Sequence, residues 1–268
     1  MSATDAAIED PVPVVGSGGA AVGVVTHAAR VSETVVLIVP ASGDARTGPG
    51  RLYVRLAREL ARRGLPSLRF DASDGGDSPP AMAADPRYDE AAIAAARQLL
   101  GLYPDAFVTV LAVGRGAIHA AHSWHALARA DVPLSALCLV DPHIAMALDA
   151  PRRSWWRRLF NAGAAAAAAG SPDSADSPQA GGNGVAAQQL WRSLPAAVRA
   201  GRSRLLLVSR GETACGPTLL ALAREERSWR KALRRSRGWL QLDEADAGFS
   251  DPVKWRELVE WLAARLAV

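Results

Sequence analysis

The chain has 268 residues, of which 49% are apolar and 22% charged, with a formal net charge of +4. These values exclude a wholly disordered or fibrous protein, and an α/β chain of this length closes one full core, so a single domain over 1–268 is expected. The positive charge is almost all arginine, which suits anionic partners in general but by itself does not favour nucleic acid.

Two cysteines, Cys138 in an apolar strand and Cys215 in a loop, give neither a disulfide framework nor a metal spacing and read as free thiols of a reducing compartment. The N-terminal "MSATDAAIEDPV" carries acids and lacks the basic start and apolar centre of a signal peptide. No apolar run approaches the ~20 residues of a membrane span, so no transmembrane segment is expected and the expected location is cytoplasmic.

Taken in chain order, "TVVLIVP" (34–40) is a buried strand, "GRLYVRLARELARRG" (50–64) an amphipathic helix closed by Gly64, and "PSLRFD" (66–71) a second strand. Helix "YDEAAIAAARQLLGLYP", strand "FVTVLAV", helix "AIHAAHSWHALARA" and strand "SALCLVDP" follow. Strand "SRLLLVSRG", helix "PTLLALAREERSWRKALRRS", strand "WLQLDEAD" and helix "DPVKWRELVEWLAARLAV" complete the chain. Strands alternating with helices predict a doubly wound, mostly parallel sheet whose ligand site lies beyond the carboxyl ends of the strands. The alternation breaks at 150–203, read as a lid-like insertion, where "NAGAAAAAAGSPDSADSPQAGGN" (161–183) is too small and polar to fill a core and reads as a low-complexity loop between "SWWRRLF" and "VAAQQLWRSL".

Residues 111–121, "LAVGRGAIHAA", form a strand, a glycine turn and a helix, the arrangement that presents a nucleophile at a Gly-x-Ser-x-Gly elbow. Laid over this segment, the motif has Ala112 and Gly116 as flanks and Gly114 where the reactive side chain belongs.

The segment "VLIVPASGDARTGPGRLYVRLARELARRGLPSLRFDASDGGDS" (36–78), with its "LRFD" and "GGDS", resembles the α/β-hydrolase superfamily, specifically the serine-aminopeptidase-like group that includes bacterial hydrolases associated with the exosortase A system. "LLLVSRGETA", "RSWRKAL" and "EADAGFS" look like the same group's acid-bearing turn, tryptophan-containing helix and histidine loop. The resemblance spans most of 34–262 and implies an α/β-hydrolase fold with a triad in the order nucleophile, acid, base. The family's nucleophile falls on Gly114, its acid on Glu212, with one residue missing nearby, and its histidine on Ala247. The nearest hydroxyl downstream of the elbow is Ser123, and no histidine lies beyond His143. The expected protein is therefore a catalytically degenerate hydrolase, leaning away from an enzyme and towards a binding or accessory role. The resemblance further implies an exopolysaccharide or cell-envelope pathway. The alternative is an active ester, amide or thioester hydrolase with a displaced, non-standard triad.

Some recognition chemistry survives on this reading. The amides opening the helix at Gly116, the loop at Ala41 and Ser42, and the charge of Arg115 would face an anionic or carbonyl-bearing ligand. Asp141 and His143, just past "SALCLV", are further ligand-binding candidates, and with Ser42 they are the components of an improvised site. His119, His122 and His125 recur on one helix, but they lack acidic or thiol partners and the i, i+4 spacing, so neither metal nor other cofactor is expected. Trp155, Trp156 and Phe160 of the lid sit among arginines, as on a partner-binding surface. "REERSWRKALRRSR" reads as a solvated charged face rather than a nucleic-acid surface.

Overall fold

The computed structural model describes residues 7–16, 19–30, 32–71, 75–77, 88–144, 180–211, 213–234 and 238–267. In chain order these form β1 (Glu9–Gly16), β2 (Gly19–Thr26), β3 (Thr34–Val39), α1 (Leu52–Arg62), β4 (Ser67–Phe70), α2 (Tyr88–Leu102), β5 (Phe107–Val113) and α3 (Gly116–Arg129). Then come β6 (Leu134–Val140), α4 (Ala180–Ala200), β7 (Arg204–Arg210), α5 (Cys215–Glu225), α6 (Arg227–Arg234), β8 (Trp239–Leu242) and α7 (Pro252–Leu266). One eight-stranded sheet runs β1-β2-β4-β3-β5-β6-β7-β8. From β4 to β8 it is parallel, and the hairpin β1–β2 joins its edge antiparallel to β4.

Both faces of the sheet are covered, which is why its central strands are continuously apolar rather than alternating. Along β3, Val35, Leu37 and Val39 enter a core with Ala95 of α2, Ala120 of α3, Trp191 of α4 and Trp229 of α6. The intervening Val36 and Ile38 enter the opposite core with Leu56 of α1 and Leu258 of α7. The chain leaves β3 for β4 on one side and returns through β5 on the other. That reversal opens a crevice at the carboxyl ends of β3 and β5, the place where such sheets bind ligands.

Four expectations change. The β1–β2 hairpin precedes the first expected strand, because "EDPVPVVG" and "GAAVGVVT" carry prolines, acids and small residues and lack a strand-like apolar pattern. The helix expected over 217–236 is two helices, since Glu226 is extended at φ −113°, ψ 120°. This turn delivers Trp229 into the core, where its Nε1 donates to the Trp191 carbonyl at 2.8 Å. Helix α4 begins at Ala180, inside the segment expected to be a loop, and buries Trp191, Leu194 and Val198. Cys215 opens α5 instead of lying in a loop, and both thiols are buried, with burial pushing each pKa up to about 12. The lid aromatics Trp155, Trp156 and Phe160 and the rest of the 161–179 segment lie outside the described residues.

Candidate functional site

The turn after β5 is built by two glycines with different tasks. Gly114 has φ +57°, a left-handed conformation that any side chain would strain. Gly116 opens α3, and a Cβ there would stand 3.0 Å from the Val39 carbonyl oxygen and 3.2 Å from the Ala41 amide. Glycine thus lets the helix approach the end of β3 closely.

A cavity of about 220 Å³ lies over this turn, lined by Ala41, Gly114, Arg115, Asp141, His143 and Ala247, with Asp44, Tyr53, Arg210 and Phe249 completing its polar and aromatic wall. The structure therefore brings together most of the sequence candidates. Ser42 is exposed and not part of the lining, and Glu212 lies outside the described residues. His143 follows β6, and its amide donates to the Gly114 carbonyl at 3.2 Å. A Cβ at Gly114 would stand 3.7 Å from His143 Nε2.

Asp141 is the best-held acid of the site. It has φ +46° and is 4% exposed. Arg210 Nε donates to its Oδ2 at 2.7 Å, and the Thr213 hydroxyl donates to its Oδ1 at 2.7 Å. The same guanidinium reaches the Ala245 carbonyl at 3.2 Å, fastening the loop that carries Ala247 to the end of β6. The improvised arrangement of Ser42, Asp141 and His143 is corrected by this geometry: the Asp141 carboxylate is directed to Arg210 and Thr213, and no bond joins it to His143.

Tyr53, Asp44 and Arg210 complete the site, and the sequence pattern does not mark them. The Tyr53 side chain is 1% exposed, and its hydroxyl donates to Asp44 Oδ2 at 2.9 Å. Burial foremost, then the Asp44 charge, raise its pKa well above the usual phenol value, while a backbone hydrogen bond from Ala41 opposes them. Arg115, by contrast, is exposed, and neither its amide nor its guanidinium bonds to a described residue. A signal for Tyr53 was available in its placement on the buried side of α1, one turn after the "PASGDAR" loop.

The "RFD" and "GGD" signatures fasten that loop. Asp71 is fully buried; its Oδ1 accepts from the Arg46 amide at 2.6 Å and its Oδ2 from Arg46 Nη1 at 2.7 Å and the Asp77 amide at 3.1 Å. Arg46 also reaches Asp77 at 2.9 Å. Burial works against the Arg46 charge, but its bonds to Asp77 and Asp71 outweigh that and raise its pKa. Along α3, His119 and His125 are partly buried and His122 is exposed. Burial, with Arg129 nearby, holds His125 below the usual imidazole range. Among the described residues no group of three or more histidine, cysteine or acidic side chains is placed to hold a metal, and no described helix is long and apolar enough to cross a membrane.

The mixed eight-stranded sheet, its two helical layers and a cavity at the switch point define the α/β-hydrolase fold. Solved structures carry the same architecture. A dienelactone hydrolase from Anabaena variabilis superposes with a TM-score of 0.58 at 13% identity, covering 97% of this chain and 96% of that one. An esterase from Pyrococcus furiosus gives 0.60 at 13% identity over 97% and 90%, and an α/β serine hydrolase without lid from Xanthomonas campestris gives 0.54 at 13% over 97% and 96%. No protein-family model matches the chain, and no curated protein matches its sequence.

Proposed function

We propose that this chain is a non-hydrolytic α/β-hydrolase-fold protein that binds a small carbonyl-bearing ligand in the cavity over Gly114 and acts as an accessory to another component rather than as a catalyst. The observation that carries the reading is the cavity lining: the elbow position is glycine, and the described lining contains no serine, threonine or cysteine. Its one hydroxyl, on Tyr53, is engaged by Asp44 and kept protonated by burial. Acyl transfer needs a nucleophile activated by a base, and neither Gly114 nor Ala247 supplies one.

Charge decides the ligand class between a full anion and a neutral carbonyl. The lining holds Arg115 and Arg210 but also Asp44 and Asp141, so its formal charges cancel and a neutral carbonyl oxygen suits it better than an anion. The Arg115 amide and guanidinium supply the donors. Resemblance to the exosortase-associated group supports bacterial exopolysaccharide or cell-envelope assembly as the pathway, with an active hydrolase as the expected companion.

One observation favours the alternative of an ester, amide or thioester hydrolase with a displaced triad: the imidazole of His143 lies beside the elbow. A serine-reactive phosphonate separates the two readings. The binding reading expects no covalent labelling of the folded protein together with a raised melting temperature in short-chain lactones or amides; stoichiometric labelling of the unaltered protein overturns it.

A further inference from the structure

Strand β7 separates two concavities. Arg210, at its carboxyl end, belongs to the Gly114 cavity, whereas Arg204, at its start, lines a cleft of about 690 Å³. Six residue steps of about 3.3 Å put the two ends roughly 20 Å apart. The larger cleft lies between the ends of α4 and α7 and the middle of α6, and its size is that of a site for a small organic ligand.

Its apolar floor includes Val198, Leu205 and Leu206. Its charged lining among the described residues is cationic throughout: Arg199, Arg204, Lys231 and Arg265, without a carboxylate. Arg204 is partly buried, and its guanidinium has no hydrogen bond or ion pair with any described residue. Burial, and then the like charge of Arg265, lower its pKa, and no acid among the described residues opposes them. Arg265 is additionally held against the Trp261 ring, its guanidinium carbon 5.5 Å from the centroid.

A guanidinium withdrawn from water with no counter-charge on its side chain's described neighbours is unfavourable unless an anion meets it. Guanidinium forks match the oxygens of a phosphate or carboxylate. The apolar floor beneath the cations calls for a second, hydrocarbon part of the same molecule. We propose that this cleft binds a small amphiphilic anion, its head group seated on the Arg204 guanidinium and its apolar body lying over Val198, Leu205 and Leu206. Lys231, exposed on α6, adds charge at the mouth, so a doubly charged phosphate monoester head is preferred to a carboxylate. This site is independent of the reading given to the Gly114 cavity.

The test is calorimetric titration with octyl phosphate below its micelle concentration, alongside octyl glucoside and inorganic phosphate. Octyl phosphate is expected to bind at least about tenfold more tightly than either comparison compound, because neither satisfies cations and floor together. Arg204→Met should weaken octyl phosphate by about tenfold or more while raising the melting temperature of the ligand-free protein, since it removes an uncompensated charge. Lys231→Ala, at an exposed position that leaves folding alone, should weaken it less. Equal binding of octyl phosphate and octyl glucoside, equal binding of octyl phosphate and inorganic phosphate, unchanged affinity in Arg204→Met, or a lowered melting temperature in that variant would each overturn the proposal.

Discussion

Gly114 and His143 face each other from the ends of adjacent parallel strands: the His143 amide bonds to the Gly114 carbonyl at 3.2 Å, and a side chain at 114 would begin 3.7 Å from His143 Nε2. The imidazole is thus near a nucleophile position occupied by hydrogen alone. Among the described residues no carboxylate orients it, since Asp141 is committed to Arg210 and Thr213.

Gly114→Ser should accordingly destabilise the fold by about 1–2 kcal/mol, the cost of a side chain at positive φ, without a clash. The new hydroxyl should acquire slow phosphonate reactivity that disappears in Gly114→Ser with His143→Ala. Adding Ala247→His on the other wall should raise the reactivity if that residue occupies a true base position. Unfolding in urea and mass spectrometry of the labelled protein measure both effects. A neutral or stabilising Gly114→Ser would contradict the elbow geometry.

Tyr53 and Asp44 should behave as one unit. Tyr53→Phe and Asp44→Ala each remove a partner of the same buried hydrogen bond, costing about 1–2 kcal/mol apiece, and the double variant should cost clearly less than their sum. A double-mutant cycle followed by unfolding in urea measures that coupling.

The loop that carries Ala41 depends on a buried charge. Arg46→Ala should cost about 2–3 kcal/mol, because Asp71 keeps its backbone donors but loses the guanidinium. Asp77→Ala, at the exposed end of the same network, should cost less than about 1 kcal/mol. Comparable losses for the two substitutions would show that the Asp71 carboxylate is not what the arginine serves.

Acid sensitivity has an identifiable source at the sheet edge. Glu9 accepts from Arg58 at 2.8 and 3.1 Å and pairs with Arg69 at 3.3 Å, and the Arg58 hydrogen bond foremost holds its pKa below the usual carboxylate value. A carboxylate whose pKa is lower folded than unfolded contributes stability above its unfolded value, about 4.3, and that contribution is lost as pH falls through the folded value. Glu9→Gln should therefore be less stable than the parent at pH 7, with the difference shrinking below roughly pH 4. Denaturation midpoints across an acid series check the convergence.

What could be read in the residues alone divides along physical lines. From β3 to β6 and from β7 to α7 the elements announce themselves by long apolar runs and amphipathic periods, and the turn at Gly114 by its glycines, whereas the start of α4 falls in a stretch of small residues that carries neither signal. The hairpin at the edge did not announce itself, since Pro11, Pro13 and Gly23 argue locally against strands that gain their pairing from β4. The break at Glu226 was hidden because its neighbours all favour helix, and it is the tertiary burial of Trp229 that turns the chain. At the site, glycine and alanine at 114 and 247 could be placed by motif, whereas the Asp141–Arg210 and Asp44–Tyr53 pairs join residues that only the folded chain brings together.

The prolines of β1 bear on how the molecule meets its own copies. Antiparallel pairing to β2 uses alternate residues, as the Ile8 carbonyl accepting from the His27 amide shows, so Pro11 and Pro13 fall on the outward-facing set. A foreign strand approaching this border of the sheet would find carbonyl acceptors at 9, 11, 13 and 15 but amide donors only at 9 and 15. An extended hydrogen-bonded seam cannot form there, and the apolar Val15 beside it, 68% exposed, is left without the ladder that would turn stickiness into fibre growth.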